Sequence, residues 1–387
     1  VLTHGFVLDE QGRKMSKSLG NVVTPQKVME QNGADILRLW VVSSDYYNDL
    51  RIGAEIIKRT TDNYRRFRNT LRYLLGALDG FDAGEKLGYA DMPELEKWVL
   101  HRLASIDAAI REMTETYDFH GIFSELHQFC NSDLSAFYFE IRKDTLYCDN
   151  PDATARRACR TVMDEVFNRL TAWLAPILCF TAEEAWQSRH ADINQSVHLR
   201  SYDPVPADWH NDAIAAKWAQ IRKARQVVMS ALETARNDGK IGASLQATPM
   251  VYISADMQAA FAGQDAASLF ITSSATLSSD AAPDGAFRLD TIDDVAVVVA
   301  VVIAVIVELG IVIVLSCVGS SAVKVVSCAS AVAPSNTIEL SVNDKPETEG
   351  DVIVLFVKVC DPSFKVIFDV LDKSVEAIVI LPVPSND

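Results

Sequence analysis

The chain has 387 residues, a formal net charge of −16 and a hydrophobic content of 49%. This length predicts two or three domains with packed cores. The negative charge excludes a protein that coats nucleic acid through bulk charge, although it allows a local basic patch. The seven cysteines are scattered, and no two of them form a C-x-x-C pair. They predict reduced thiols in a cytoplasmic protein, without a disulfide framework or a zinc cluster.

The amino-terminal stretch VLTHGFVLDEQG has neither a methionine at its start nor a basic segment followed by an unbroken apolar run. We therefore expect an internal fragment without a signal peptide. The segment HGFVLDEQGRK reads as a hairpin with DEQG as its turn. In NVVTPQKVMEQNG, Thr24 fits a helix N-cap, Pro25 the first helical position and Gly33 the helix exit. ADILRLWVVS predicts a second short helix.

Long amphipathic helices follow from about Ile52, and the first of them carries an apolar stripe formed by Ile56, Tyr64, Phe67, Leu71 and Leu74. Within CFTAEEAWQ, Thr181 fits an N-cap and Glu184 the capping-box position. Further elements are expected as helices at about 93–117, 119–143, 152–174 and 212–237, and as a strand at 250–253. Long helices with short connections are typical of a helical bundle. The predicted fold is therefore mainly α, with a small α+β junction after the bundle.

The composition changes near Asp290. No Arg, His, Trp, Tyr or Gln follows Arg288, and about a quarter of the remaining residues are Val. The run from Val295 to Leu315 is long enough to span a bilayer. Three features instead favour buried strands: the many β-branched residues, the carboxylate of Glu308 and the lack of a flanking basic cluster. An artefactual sequence is a third alternative, and a membrane span ranks below both.

The segment GRKMSKSLGN, from Gly12 to Asn21, places two lysines on a short loop with a glycine towards each end. Lysine is a compact cation on a long stem, and it suits a phosphate group that moves during a reaction. A lysine that closes over a triphosphate stabilises the charge that builds up as pyrophosphate leaves. A solvated surface loop is the ordinary interpretation of two lysines at this spacing. The complete KMSKS pattern, Lys14 to Ser18, favours phosphate binding.

A second cationic group lies on the first long helix, where Arg65, Arg68 and Arg72 share one face at i, i+3 and i+7. Residues 1–80 contain twelve Lys or Arg against nine Asp or Glu, so this part of an acidic chain is locally basic. These arginines suit a nucleic-acid backbone. The alternative is a solvated helix face that pairs with Asp62. Base stacking would need aromatic side chains, but Trp173, Trp186 and Trp209 fit a bundle core better.

The KMSKS segment resembles the signature loop of class I aminoacyl-tRNA synthetases. The surrounding residues, from HGFVLDEQGRK through GADILRLWVVSSDY, are similar to those of isoleucyl-tRNA synthetases. YRRFRNTLRYLLGAL, LSAFYFEIRKDTLYCD, APILCFTAEEAW and GKIGASLQA extend this resemblance to about Asp290. Isoleucine is the expected specificity, and a valyl-tRNA synthetase relative is the second alternative.

The resemblance implies ATP-dependent activation of isoleucine and its transfer to tRNA(Ile) by a cytoplasmic enzyme that we expect to be a monomer without membrane association. ATP would bind with Mg²⁺. Lys17 would contact the phosphates and Lys14 would assist, with Met15, Ser16 and Ser18 completing the ATP-binding loop. Arg65, Arg68 and Arg72 would contact tRNA. A non-catalytic tRNA-binding module is the alternative function.

Two departures from the family pattern limit what this chain does alone. The histidine-glycine-histidine signature H-x-G-H does not occur in it, and the editing domain that the family inserts before the lysine loop has no counterpart. We therefore expect no adenylate from this chain by itself. Cys317, Cys328 and Cys360 are too widely spaced for the zinc module of bacterial relatives, so no metal site is expected.

The predicted domains are the end of the catalytic core with the stem-contact region (1–52), the helical anticodon-binding domain (53–210), the α+β junction (211–290) and a β-prone tail (291–387).

Overall fold

The computed structural model describes residues 3–190, 192, 194–301, 303–308 and 311–316. The chain divides into two compact units, with the boundary between Trp218 and Ala219. Helices dominate the first unit and small sheets occur in the second, so the prediction of a mainly α fold is confirmed. The four predicted domain ranges stay a prediction.

The first unit begins with short elements: β1 (Val7–Leu8), α1 (Pro25–Asn32), α2 (Ala34–Val42) and β2 (Leu50–Arg51). The local signals for α1 are confirmed, because the Thr24 side chain accepts a hydrogen bond from the backbone of Lys27 and Pro25 opens the helix. Gly33 ends it at a positive φ of 90°, a conformation that favours glycine.

The predicted hairpin at HGFVLDEQGRK is confirmed at its turn, where the backbone N–H of Gly12 donates to the Asp9 carbonyl and that of Asp9 to the Arg13 carbonyl, but a ladder between its two arms does not form. Strand β1 pairs in parallel with β2, Val7 opposite Leu50 and Leu8 opposite Arg51. Only an isolated antiparallel bridge joins Leu8 to Lys14. The Asp9 carboxylate stabilises the turn by accepting the backbone N–H groups of Gln11 and Arg13.

The helical bundle follows in the same unit, and it consists of α3 (Ala54–Ala77), α4 (Glu94–Glu115), α5 (Phe119–Gln128), a π-helical stretch (Phe129–Phe139), α6 (Glu140–Cys148), α7 (Thr154–Leu174) and α8 (Cys179–Arg189). Helix α7 is its centre, because nearly every residue after Ala158 is buried and α3, α4, α6 and α8 all contact it. A helix that is buried on all sides must have neighbours all round. The predicted stripe on α3 reaches this core through Phe67, Leu71 and Leu74.

The predicted N-cap at Thr181 is also wrong. Helix α8 begins at Cys179, so Thr181 lies inside its first turn. Asp35 on α2 is buried and accepts hydrogen bonds from the backbone of Phe180, the backbone of Thr181 and the Thr181 hydroxyl. A carboxylate from a distant part of the chain therefore satisfies the donors at this helix start. Arg38, one turn further along α2, donates to the carbonyl oxygens of Pro176 and Ile177.

The second unit takes in most of α9 (Asp212–Asn237) and a four-stranded sheet of order β4-β3-β6-β5. Its strands and short helices are β3 (Ala247–Ile253), α10 (Ala255–Ala260), α11 (Ala266–Phe270), β4 (Thr276–Ser278), β5 (Phe287–Leu289) and β6 (Ile292–Val301). Strand β3 runs parallel to β4 and antiparallel to β6. Alternate residues of β3 are buried, as expected of a strand with one covered face.

The valine-rich run forms strands in the part that the structure describes. After β6, strand β7 (Ile303–Glu308) pairs antiparallel with β8 (Ile311–Ser316). Among the described residues, no helix combines the length and the apolar character that a membrane crossing requires. The segments GDVIVLFVKVCD and FKVIFDVLDKSVEAIVIL lie outside the described residues, as does the rest of the predicted tail after residue 316.

Candidate functional site

The lysine loop is anchored to the core of the first unit through Met15. This side chain packs against a buried apolar cluster that includes Val28, Ile36 and Trp40, and its sulfur accepts a weak contact from the backbone N–H of Val23 at 3.5 Å. The unbranched methionine side chain adapts well to such a site. The middle of the loop is thereby held in place while its lysines point elsewhere.

Ser16 gives the loop its local shape. Residues Lys17–Leu19 form a short 3₁₀ turn, and the Ser16 hydroxyl caps it by accepting the backbone N–H of Leu19 at 3.3 Å. Gly20 ends the turn at φ 64°, in the left-handed region where glycine carries no steric cost. The Ser16 and Ser18 hydroxyls lie 3.1 Å apart. Ser16 is therefore the cap of this turn.

Asp9 and Asn21 join the two ends of the loop, and we call this pair the loop brace. The Asn21 amide nitrogen donates to the Asp9 carboxylate at 2.8 Å and to the Lys14 carbonyl at 3.2 Å. The Asn21 amide oxygen accepts the Ser16 backbone N–H at 2.9 Å. Asp9 also binds the Arg13 guanidinium at 2.8 Å. The brace was not predicted from the sequence, in which its only signal is one polar residue on each side of the motif.

The brace leaves both ammonium groups facing solvent. Lys14 and Lys17 are exposed, and among the described residues neither side chain has an ion-pair partner. Two cations on an anchored, capped loop can therefore meet an external anion without first breaking an internal salt bridge. This placement agrees with the expectation for a phosphate-binding loop, while the ATP-binding role of Lys14 to Ser18 remains a prediction.

The loop brace should make the stability of the protein depend on pH. The hydrogen bond from Asn21, with those from Arg13, lowers the pKa of Asp9 from 3.8 to about 2. Because the folded-state pKa is depressed, the stabilisation by Asp9 is complete above about pH 4 and disappears as the pH falls towards 2. We expect wild type to be more thermostable than Asp9→Asn near neutral pH, and the difference between their melting temperatures to shrink on acidification. A difference that stays constant with pH would contradict this.

The predicted arginine face lies on α3, and each of its members has a different environment. Arg65 pairs with Asp62 at 2.8 Å, and Arg68 approaches Glu184 at 3.8 Å. Arg72 is exposed and has no ion-pair partner among the described residues. Both observed pairs are solvent-exposed, and exposed pairs stabilise a protein by only about 0–1 kcal/mol. Such weak internal pairs can exchange for contacts with an external anion.

The three tryptophans considered for base stacking are core residues. Trp173, Trp186 and Trp209 are 1%, 7% and 7% exposed. Arg200 lies over the ring of Trp186 and Arg169 over that of Trp209. A guanidinium group therefore covers one face of the Trp186 ring and one face of the Trp209 ring. Burial of all three tryptophans is expected of aromatic residues in a bundle core.

One cluster that the sequence did not reveal consists of His101, His210 and Asp212, whose potential ligand atoms lie within 4.8 Å of one another. His101 Nδ1 accepts the backbone N–H of Asn211 at 3.0 Å, which places the proton of the neutral ring on Nε2. A protonated nitrogen offers no lone pair to a metal. Burial lowers the pKa of His101 and keeps the ring neutral. We therefore assign no metal to this cluster.

Two family models match the chain. Residues 1–53, which include the lysine loop and its brace, match the model of class I tRNA synthetases for I, L, M and V. Residues 96–251 match the anticodon-binding domain of tRNA ligases. This chain belongs to the class I tRNA synthetases. The resemblance to class I aminoacyl-tRNA synthetases, seen in the KMSKS loop and its flanking segments, is thereby confirmed.

Individual relatives place the chain near one branch of these synthetases. It is 53% identical over 298 residues to the isoleucine--tRNA ligase of Agrobacterium fabrum and 52% identical over 275 residues to that of Gluconobacter oxydans. These matches cover 77% and 71% of this chain but only 31% and 28% of the relatives. The chain thus spans about a third of the length of the curated synthetases it matches.

A solved LeuRS–tRNA–LeuAMS complex from Agrobacterium radiobacter K84 is 18% identical to this chain. The match covers 54% of this chain and 24% of that one, with a TM-score of 0.43. This TM-score is too low for a comparison of the folds.

Proposed function

We propose that this chain supplies the lysine loop and the tRNA-binding helices of an isoleucine--tRNA ligase. The reaction is the ATP-dependent activation of isoleucine, followed by transfer of the aminoacyl group to tRNA(Ile). The observation that carries the proposal is the exposed pair Lys14 and Lys17 on a loop held by Met15, Ser16 and the brace. The similarity to isoleucine--tRNA ligases over 77% of the chain supports the choice of amino acid.

In this proposal Lys17 contacts the phosphates of ATP. When the carboxylate of isoleucine attacks the α-phosphate, negative charge builds up on the departing pyrophosphate; Mg²⁺ entering with ATP would supply part of the neutralising charge. A lysine ammonium that is placed beside these oxygens stabilises the transition state more than the ground state. Lys14 adds a second cation from the other side of Ser16. Met15, Ser16 and Ser18 shape the loop around the nucleotide.

The helices of the first unit and the start of the second bind tRNA in this proposal. Residues 96–251 match an anticodon-binding domain, and Arg65, Arg68 and Arg72 provide cations on the preceding helix α3. Each phosphate that such a cation neutralises releases counterions, so binding must weaken as salt is added. This gives the acidic chain a route to a polyanion that its net charge alone would repel.

The tRNA-binding part is testable with the chain as it is. We expect the 387-residue chain to bind a tRNA(Ile) transcript with an affinity that falls steeply with salt, and to bind tRNA(Val) more weakly, because the anticodon-binding helices contact different bases in the two. Fluorescence anisotropy with labelled transcripts, measured across a salt series, provides the test. Equal affinity for the two tRNAs would contradict the assignment to isoleucine, and no binding at low salt would overturn the tRNA-binding role.

A further inference from the structure

The position of the lysine loop depends on the thioether of Met15. Of the five KMSKS residues, Met15 is the one whose side chain packs against the apolar cluster of the first unit. It also lies between the two backbone groups that Asn21 binds, the Lys14 carbonyl and the Ser16 N–H. A shift of Met15 is therefore transmitted to the backbone on both sides of it, and with the backbone to the two lysines.

Met15 is within reach of a small oxidant from the solvent. Its side chain is only partly buried, and residues 17–20, which follow it in the loop, are all exposed. Met92, Met163 and Met257, by contrast, are 6%, 0% and 2% exposed. Because oxidation of a side chain requires access to it, we expect Met15 to react while these three core methionines stay reduced.

We propose that Met15 is a site of reversible oxidation by hydrogen peroxide, and that its sulfoxide releases the lysine loop. In this step the O–O bond of the peroxide breaks and one oxygen atom is transferred to the sulfur. The sulfur loses two electrons, and the peroxide is reduced to water. The product is a polar side chain in place of an apolar one.

The sulfoxide does not fit the contacts that hold Met15. The sulfur lies 3.5 Å from the backbone nitrogen of Val23, and an oxygen inserted between them would need about 2.9 Å for its own hydrogen bond to that nitrogen. The sulfur must then retreat. In the opposite direction lie apolar residues such as Val28 and Trp40, where a polar oxygen without a hydrogen bond is unfavourable. In either direction the side chain leaves its present position and displaces the loop.

This inference rests on the proposed activation of isoleucine, which it places under redox control. A released loop still carries both ammonium groups but no longer holds them where pyrophosphate leaves. Misplacement of a reacting group by about 1 Å can slow a reaction by about 10²-fold. The arginines of α3 are not part of this contact, so the affinity for tRNA should persist. Methionine sulfoxide reductases reverse the modification.

Release of the loop can be measured on the 387-residue chain itself. Limited digestion with trypsin cleaves after Lys14 and Lys17, and mass spectrometry reports both the cleavage rate and the oxidation of each methionine. After peroxide treatment we expect Met15 sulfoxide and an increase of about fivefold or more in cleavage at these lysines, as the lower end of the cost of burying an unbonded polar group predicts. Treatment with methionine sulfoxide reductases should restore the slow cleavage.

Two leucine variants provide the matched comparison. Met15→Leu keeps an apolar side chain at the contact but has no sulfur, so peroxide should not accelerate its cleavage. Met29→Leu removes another methionine of the same region, which lies on α1 and is 39% exposed. Its cleavage should accelerate as in wild type. Circular dichroism before and after peroxide verifies that the helices are intact.

The effect on catalysis can be measured by isoleucine-dependent pyrophosphate exchange, in a full-length isoleucine--tRNA ligase whose corresponding segment is replaced by residues 1–290 of this chain. Each variant is compared with its own untreated sample, and dithiothreitol reverses the sulfenic acids of cysteines. Peroxide should slow exchange by about 10–10²-fold in wild type and in Met29→Leu. The loss should be much smaller in Met15→Leu, and the reductases should reverse it in wild type.

The outcomes separate the inference from the proposed function. If Met15 is oxidised and neither loop cleavage nor exchange changes, or if Met15 stays reduced while Met29 is oxidised, the inference is overturned and the proposed function stands. If peroxide affects Met15→Leu as much as wild type, the loss has another origin and the inference is wrong. If Lys17→Ala leaves exchange unchanged in untreated protein, the proposed role of the loop fails, and the trypsin experiment still decides whether oxidation of Met15 releases it.

Discussion

Replacing Glu96 with glutamine is expected to lower the free energy of unfolding of the first unit by about 3–5 kcal/mol, the usual cost of removing one partner from a buried ion pair. Glu96 on α4 is fully buried. Its two carboxylate oxygens accept hydrogen bonds from Nε and Nη2 of Arg142 on α6, both at 2.7 Å. The Tyr138 hydroxyl donates a third at 3.2 Å. A bidentate pair of this kind is among the strongest hydrogen-bonded arrangements in proteins.

The large expected effect comes from the cation that remains. Burial by itself lowers the pKa of Arg142, but the charge of Glu96 outweighs it and the pKa of the guanidinium is raised. Without the carboxylate, the guanidinium charge of Arg142 is left among buried neighbours. One of them is the Cys159 thiol, whose pKa is raised by burial to about 12. The thiol therefore stays neutral and does not balance the charge. Glutamine has the shape of glutamate and retains one acceptor, so the loss reports the charge rather than a cavity.

Urea unfolding followed by tryptophan fluorescence measures this prediction, because all six tryptophans lie at or before Trp218 and report on the first unit. Asp62→Asn, which removes the exposed partner of Arg65, is the matched control and should cost no more than about 1 kcal/mol. Replacing both Glu96 and Arg142 with apolar residues of similar size should recover much of the stability. If Glu96→Gln costs no more than Asp62→Asn, the pair does not hold α4 to α6.

The second large effect is expected in the reaction itself. In a full-length isoleucine--tRNA ligase whose corresponding segment is replaced by residues 1–290 of this chain, Lys17→Ala should slow isoleucine activation by about 10²–10³-fold, as the loss of one preorganised charge-stabilising donor does. The ammonium of Lys17 is exposed on an anchored turn, so its removal does not disturb the core. The affinity for tRNA(Ile) should stay unchanged.

Isoleucine-dependent pyrophosphate exchange measures activation, and anisotropy with labelled tRNA(Ile) measures binding in the same protein. Lys17→Arg retains a cation and should recover part of the rate. Lys143→Ala removes an exposed lysine from α6 and should alter neither quantity. Equal losses in exchange and in tRNA binding for Lys17→Ala would argue against placing Lys17 at the ATP phosphates.

The sequence alone determined the features that depend on a few consecutive residues. Thr24, Pro25 and Gly33 predicted the ends of α1 correctly because caps and exits act within one helical turn. The helical spacing of Phe67, Leu71 and Leu74 predicted the buried face of α3. The KMSKS loop and the segments around it led to the family, which the family models then confirmed.

Only the tertiary structure decided which distant residues meet. Asp35 caps the start of α8, where the sequence had suggested Thr181. Asn21 meets Asp9 across the loop, and Glu96 pairs with Arg142 between two helices. Each of these contacts depends on how the elements pack, and a carboxylate or an ammonium group has no periodic pattern that reveals its partner. Local conformation follows from neighbouring residues, whereas long-range polar pairing follows from the path of the whole chain.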